Sequence, residues 1–436
     1  MADIAPFPGI RYNPETVTDL SEVVAPPYDV IPPEQQQALY DKCDYNVVRL
    51  ILNRDPDNPH ARAAEAYRKW LNSGVLVRED EPALYLTATE FTVERTSHTR
   101  LGLISRVRLE PFDKGIVRPH EKTFSKVCTE RFGLMSHSHA NFSPVFSLFR
   151  DPGGDVFREL GSLADQSRPT TSFTDDKGHD HRLWVITDTA QQERLVNLLA
   201  PATLYIADGH HRYTTCLNYL NARLEQNPDL PEDHPARFTM MYLAGMSDPG
   251  LVILPAHRML KRIPEDDRAA FPQKAEEFFD VTMYPLEGDG EAAAERLLAD
   301  LEREGGKAIG VVMHGRKDLA LISLKEGAMA ERYGDELAPE LRGLDVTVLT
   351  RLVFMDILGL TRQDLDDASL MGYETSAHAV IEKVLAGETL AGFILNPTRI
   401  DQVRAVAEAG LTMPRKSTYF YPKVTTGLVI HDLDAR

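Results

Sequence analysis

A short apolar run, an Asp-Gly pair and a helical pattern follow one another without a break in Thr203–Leu224, TLYIADGHHRYTTCLNYLNARL. Thr203–Ala207 is β-prone and apolar, which predicts a buried strand. Asp208-Gly209 is a turn signal. From His211 onward Tyr213, Leu217, Leu220 and Leu224 recur at helical spacing. The expected unit is strand, glycine turn, helix, with His210, His211 and Arg212 where the helix begins. A helix start presents N–H groups and partial positive charge, which suits phosphate. Gly209 permits close backbone approach, and Arg212 is able to fork onto phosphate or carboxylate oxygens. The plain alternative is a turn with two surface histidines. The strand before it and the helix after it favour the functional reading.

The rest of the chain bounds the options. With 436 residues it is long enough for two domains. The polar, proline-bearing stretch EQNPDLPEDHPA ends near residue 236 and predicts a division into an N-terminal region, 1–235, and a C-terminal α/β region, 236–436. A net charge of −18 argues against general binding to nucleic acid or anionic membrane. No apolar run reaches the length of a membrane span, and the N-terminus lacks a signal-peptide pattern. Cys43, Cys128 and Cys216 stand far apart with no metal-ligand spacing, so a reducing cytoplasm is expected.

Helical patterns at Pro33–Lys42, His60–Gly74, Gln191–Leu199 and 344–360 alternate with strand patterns. The strand patterns include Asn46–Leu52, Ala83–Val93, Arg100–Leu109, Val145–Phe149, Arg182–Thr187 and Phe238–Gly245. Ala25–Ile31 carries consecutive prolines and reads as an extended strap. The expected class is α/β or α+β, with mixed sheets.

Two further stretches carry chemistry. Pro119–Thr123, PHEKT, sets Glu121 among potential donors, and a carboxylate next to a cation suits a general base or a metal-coordinating role. The alternative is a solvated charged loop. The second stretch is 413–430, MPRKSTYFYPKVTTGLVI, where Arg415, Lys416 and Lys423 mix with Ser417, Thr418, Thr425 and Thr426. Such point charges and short donors match a polyphosphate, so Lys416, Ser417 and Lys423 are expected in one cleft with Arg212. Tyr419, Phe420 and Tyr421 read as core. His137 and His139 lack a third metal ligand at suitable spacing, and His179 and His181 read as loop histidines.

Residues 25–31 (APPYDVI), 119–123 (PHEKT), 141–146 (NFSPVF), 206–213 (IADGHHRY), 396–398 (NPT) and 413–430 together resemble one large prokaryotic family catalogued as a domain of unknown function. The box around Asp208 also resembles the phosphate-binding box of the ParB/sulfiredoxin-like fold, a G-x-x-R turn that opens a helix. Sulfiredoxins need cysteine after the glycine, where this chain has His210. ParB clamps need a basic downstream DNA-binding motif, and this chain is acidic there. Free-serine kinases, with a D-G-H-x-R box and an H-E element, match best. The resemblance implies a ParB/sulfiredoxin-like core and a small-molecule kinase acting on free L-serine. ATP or ADP would be the donor, and a nucleotide and a small hydroxylated substrate the partners. It further implies phosphate binding by Gly209, His210, His211, Arg212, Lys416, Ser417, Thr418 and Lys423. Glu121, His120 and Asp208 would be catalytic, with Mg²⁺ on Asp208. A non-catalytic nucleotide-binding regulator is the alternative.

Overall fold

Glu94 and Arg95 separate two β-prone runs, and both take left-handed φ, 47° and 71°. Two such residues make the tight turn whose twist matches that of paired strands. In the computed structural model, which describes residues 1–286, 290–367 and 369–434, they join the longest hairpin of a nine-stranded sheet. Its strands are β1 (Ile4–Ala5), β2 (Leu84–Val93), β3 (Thr96–Arg108), β4 (Val117–Arg118), β5 (Val145–Phe149), β6 (Thr171–Thr174), β7 (Asp180–Ile186), β8 (Leu204–Asp208) and β9 (Phe238–Gly245). The spatial order is β4-β8-β5-β9-β3-β2-β7-β6, with β1 alongside β3. The sheet is mixed: β8 runs parallel to β4 and antiparallel to β5, and β5 runs parallel to β9.

Helices of the same unit include α1 (Pro59–Asn72), α2 (Ser125–Ser138), α3 (Asp155–Gln166), α4 (Thr189–Leu199) and α5 (His210–Gln226). Val156, Leu160 and Leu163 recur along one face of α3, and Tyr213, Cys216, Tyr219 and Leu220 along α5. Both faces pack on Leu103, Val145, Phe149, Leu204 and Ile206 of the sheet. Asp188 starts α4 by accepting the Gln191 N–H at 2.9 Å. A second core joins the N-terminal strap, α1 and α2 through Ile10, Val47, Tyr67, Trp70, Leu134 and Phe142, closed by Ile430.

The chain divides into two units, Met1–Val252 with Pro422–Arg436, and Ile253–Tyr421. The expected division at 235/236 lies just ahead of β9, a strand in the middle of the first unit's sheet. The polar stretch there is the surface connection from α5 to β9, the usual place for such composition.

The second unit holds an antiparallel six-stranded sheet of β10 (His257–Leu260), β11 (Phe279–Pro285), β12 (Ala308–Met313), β13 (Asp318–Leu324), β14 (Met371–Glu374) and β15 (Ala391–Leu395), in the order β11-β13-β12-β15-β10-β14. Leu297 and Leu301 of α6 (Glu291–Glu304) and Val380 and Val384 of α7 (Ala377–Leu385) pack into one core. Phe271, Phe354, Phe393 and Val406 belong to another.

Three expected elements differ. Asn46–Leu52 contains a helical turn, Val48–Ile51. Asn46 Oδ1 accepts the Val48 N–H at 3.0 Å and starts that turn. A fully buried apolar run has no period by which to separate strand from helix. The helix expected over 344–360 is a short α-turn, Asp345–Val348, followed by π-helix from Leu349 to Ile357. Ala25–Ile31 is extended only as far as Pro27, and Tyr28–Val30 forms a 3₁₀ turn.

Candidate functional site

The cluster starts at a β-bulge. Ile206 pairs with Ser147 and Asp208 with Phe146, so Ala207 is an extra residue in β8. A bulge bends its strand and re-aims the side chain that follows, here Asp208. Gly209 then takes φ 93° and ψ 29°, a left-handed geometry open to glycine, and α5 begins at His210. Strand and helix thus each extend one residue further toward the turn than the sequence pattern indicated.

Both oxygens of Asp208 face cations. Lys423 Nζ lies 2.5 Å from Oδ1, and Arg212 Nη2 donates to Oδ2. Arg212 Nη1 donates to the Pro144 carbonyl of the NFSPVF segment. Burial opposes the Asp208 charge, but Lys423 and Arg212 outweigh it and hold the carboxyl well below the usual carboxylate range. Both terminal nitrogens of Arg212 thus donate within the protein, to Asp208 and to the Pro144 carbonyl. Asp208 does not fit the expected Mg²⁺ ligand. Two cations already supply its oxygens with positive charge, and a divalent ion would have to displace them.

The paired histidines hold the PHEKT loop. The His120 backbone N–H donates to His210 Nε2 at 3.2 Å. The Phe124 backbone N–H donates to His211 Nε2 at 3.1 Å, with the Phe124 and His211 rings stacked at 5.8 Å. A backbone donor on Nε2 of His210 places the ring proton on Nδ1, which faces Glu121 Oε2 at 4.0 Å. His120 packs edge-on to His210 at 4.6 Å. Burial lowers its ring to about 4, against opposing effects of the Ile206 backbone and Asp208. Burial also drives His210 well below its ordinary value, helped by His120. Both rings are neutral at pH 7. Glu121, Asp208, His210, His211, Arg212, Lys423 and His120 thus lie in one contiguous network within the first unit.

Lys416, Ser417 and Thr418 belong to the second unit. Lys416 has φ 54°, and its carbonyl accepts from Arg258 Nη2 at 2.9 Å. The Ser417 hydroxyl donates to the Pro414 carbonyl at 2.5 Å, and the Ser417 carbonyl accepts from Thr398 Oγ1 at 2.7 Å. The NPT motif therefore anchors this loop. Thr418 and Phe420 are buried, the latter as expected of core.

Sequence reasoning gave Arg131 no role. Arg131 Nη1 donates to the Ile51 carbonyl at 2.8 Å, and its guanidinium lies 4.1 Å from the Tyr28 ring centre. Tyr28, Arg131, Ser143, Arg212 and Cys216 help line a cavity of about 50 Å³. Tyr28 sits in the APPYDVI segment, which was a signal; Arg131 had none. Burial raises the Cys216 thiol to about 11, which leaves it a packing group rather than a nucleophile. His137 Nδ1 lies 2.8 Å from the Gly133 carbonyl, and His139 Nδ1 lies 2.7 Å from the Tyr219 hydroxyl.

Fold and cluster define a mixed α/β protein whose polar network is built on a strand–glycine–helix turn. The chain belongs to the family described as "Protein of unknown function (DUF1015)", whose model matches residues 4–347. No curated protein matches it. Among solved structures it is similar to a free serine kinase in complex with AMP, at 14% identity and TM-score 0.34, covering 73% of this chain and 86% of that one. A conserved hypothetical protein from Pyrococcus furiosus overlaps at 13% identity and TM-score 0.34, covering 74% and 92%. SbnI with a C-terminal truncation, from Staphylococcus aureus, overlaps at 11% identity and TM-score 0.34, covering 75% and 86%. No described helix is long and apolar enough to cross a membrane.

Proposed function

We propose that the chain is a nucleotide-dependent small-molecule kinase that phosphorylates free L-serine to O-phosphoserine, with ATP or ADP as donor. The observation that carries this reading is the Glu121 carboxylate, set against the start of α5 by a loop that His210 and His211 hold, in one network with Lys423. The ParB/sulfiredoxin-like resemblance of the box supports it.

Phosphoryl transfer depends mainly on positioning and charge neutralisation. In the proposed reaction the α5 N-terminus at Gly209–His210 receives the phosphate oxygens, and Lys423, held on Asp208, offsets charge on the polyphosphate. The serine hydroxyl oxygen forms the new P–O bond as the bond to the nucleotide's leaving oxygen breaks. Glu121 accepts the hydroxyl proton late in that step, and the shortened nucleotide leaves. Arg212, His210 and His211 act through Asp208 and the loop, as positioning residues.

The test is phosphorus NMR of the full chain with ATP, ADP or pyrophosphate, in magnesium buffer, against amino acids and polyols. The expected result is donor consumption that requires serine. Glu121→Gln should lower turnover by about 10²–10⁴ and leave nucleotide affinity nearly intact. Nucleotide binding without turnover for any acceptor would replace the kinase with a nucleotide-binding regulator. Full turnover in Glu121→Gln would remove Glu121 from the chemistry.

A further inference from the structure

The β6–β7 hairpin turns through Asp175-Asp176-Lys177-Gly178-His179, closed by the Asp175 N–H donating to the His179 carbonyl at 2.9 Å. Asp175 and His179 therefore stand opposite one another. His181 is two residues further along and shares the face of His179. The Asp175 carboxylate is divided between two tasks. Its Oδ1 accepts the backbone N–H groups of Lys177 at 2.9 Å and His179 at 3.0 Å. Its Oδ2 is left to face His179 Nδ1 at 3.1 Å and His181 Nε2 at 2.9 Å. All three donor atoms lie within 4.8 Å of one another.

We propose that Asp175, His179 and His181 form a binding site for one Zn²⁺-class ion. Ligands about 2.0–2.2 Å from a tetrahedral zinc stand about 3.3 Å apart, close to the two carboxylate–imidazole separations here. Two imidazoles and one carboxylate are the donor set of zinc and its neighbours rather than of magnesium or calcium. The surroundings also match. A ligating histidine needs its other ring nitrogen oriented, and His181 Nδ1 faces Thr89 Oγ1 at 3.4 Å across the β2–β7 pair. Phe173 stacks on the His181 ring at 4.8 Å, and Phe91 meets His179 edge-on at 6.1 Å. Both histidines are buried, whereas the Asp175 side chain keeps 22% exposure, an approach from solvent. Neither histidine was legible as a ligand in the sequence, because the hairpin, not their spacing alone, supplies the carboxylate.

The test uses the full chain, stripped with chelator and then titrated with Co²⁺ and Zn²⁺ alone. One Co²⁺ per chain should bind with the visible absorption of a low-coordinate site, and Zn²⁺ should displace it. Asp175→Asn and His181→Ala should each abolish saturable binding, while Thr89→Val weakens it about tenfold. If those variants fail to fold, histidine modification of the unaltered chain decides. Zn²⁺ should protect the peptide bearing His179 and His181 from diethylpyrocarbonate. No stoichiometric uptake, uptake unchanged in well-folded His181→Ala, or no protection would reduce the trio to a hydrogen-bonded cluster.

Discussion

At the scale of single residues, Lys423 illustrates how one cation sets several properties. Its ammonium and the Asp208 carboxylate each retain 12% side-chain exposure, so solvent screens the pair weakly. Removing one partner of such a pair leaves charge without its counterpart, which typically costs about 3 kcal/mol or more. Arg212 remains beside Asp208, so Lys423→Met should cost about 3 kcal/mol in urea unfolding. Asp208→Asn in the same chain removes the counter-ion of Arg212 as well and should cost more still. Lys423 also depresses the His120 ring, so the variant should raise that ring's titration from about 4 when followed by NMR. A loss below about 0.5 kcal/mol with unmoved His120 would mean that the pair is screened like an exposed one.

The turn between β8 and α5 concentrates strain and contact at one glycine. A Cβ on Gly209 would lie 2.8 Å from Arg212 Nε at φ 93°, whereas a Cβ on Gly74, at φ 74°, would meet nothing within 4 Å. Gly74→Ala therefore measures backbone strain alone, about 1 kcal/mol. Gly209→Ala adds displacement of the guanidinium from Asp208 and Pro144 and should cost at least about 2 kcal/mol. Equal losses in the two variants, read from denaturant midpoints, would show that Arg212 moves aside freely. The α5 helix itself is secured by Tyr213, Cys216 and Tyr219 in the core, so its body should persist in both.

Across the whole molecule, buried histidines make acid response uneven. Burial lowers His120 to about 4 and His431 to about 3, and takes His210 well below its usual value; all three belong to the first unit. The unfolded chain takes up these protons near pH 6.5, before the folded one does. Stability is therefore full above that pH and falls as pH drops toward the folded values, by about 2 kcal/mol each for His120 and His431 at pH 5, with His210 acting in the same direction. Asp208 and Asp175, held low, keep their contributions until below about pH 4. Asp248, raised by burial, works the other way in the same unit. In the second unit burial lowers His257 to about 4 but raises Asp345 to about 6. Those two largely offset each other, because an acid with a raised folded value gains stability as pH falls. Hydrogen exchange corrected for intrinsic rates should show the first unit losing protection between pH 7 and 5 while the second changes little. Equal losses, or a loss confined to the second unit, would contradict this assignment.

Local periodicity alone was enough to read the β2–β3 hairpin, α1, α4 and the strand–glycine–helix at Thr203–Leu224, because each depends on neighbours in sequence: alternation, a cap, a turn residue. The PHEKT and DGHHR motifs were visible for the same reason. Their mutual placement was not, since a bulge at Ala207 and two imidazole-to-backbone bonds join segments about 90 residues apart. Tertiary structure also decided that Arg212 turns inward to Asp208 and that Lys423 sits in the first unit while Lys416 sits in the second. It decided, too, that Asp175 faces two histidines. Charge pairing, burial and strand register are properties of a three-dimensional neighbourhood, and the linear pattern of residue types does not encode them one segment at a time.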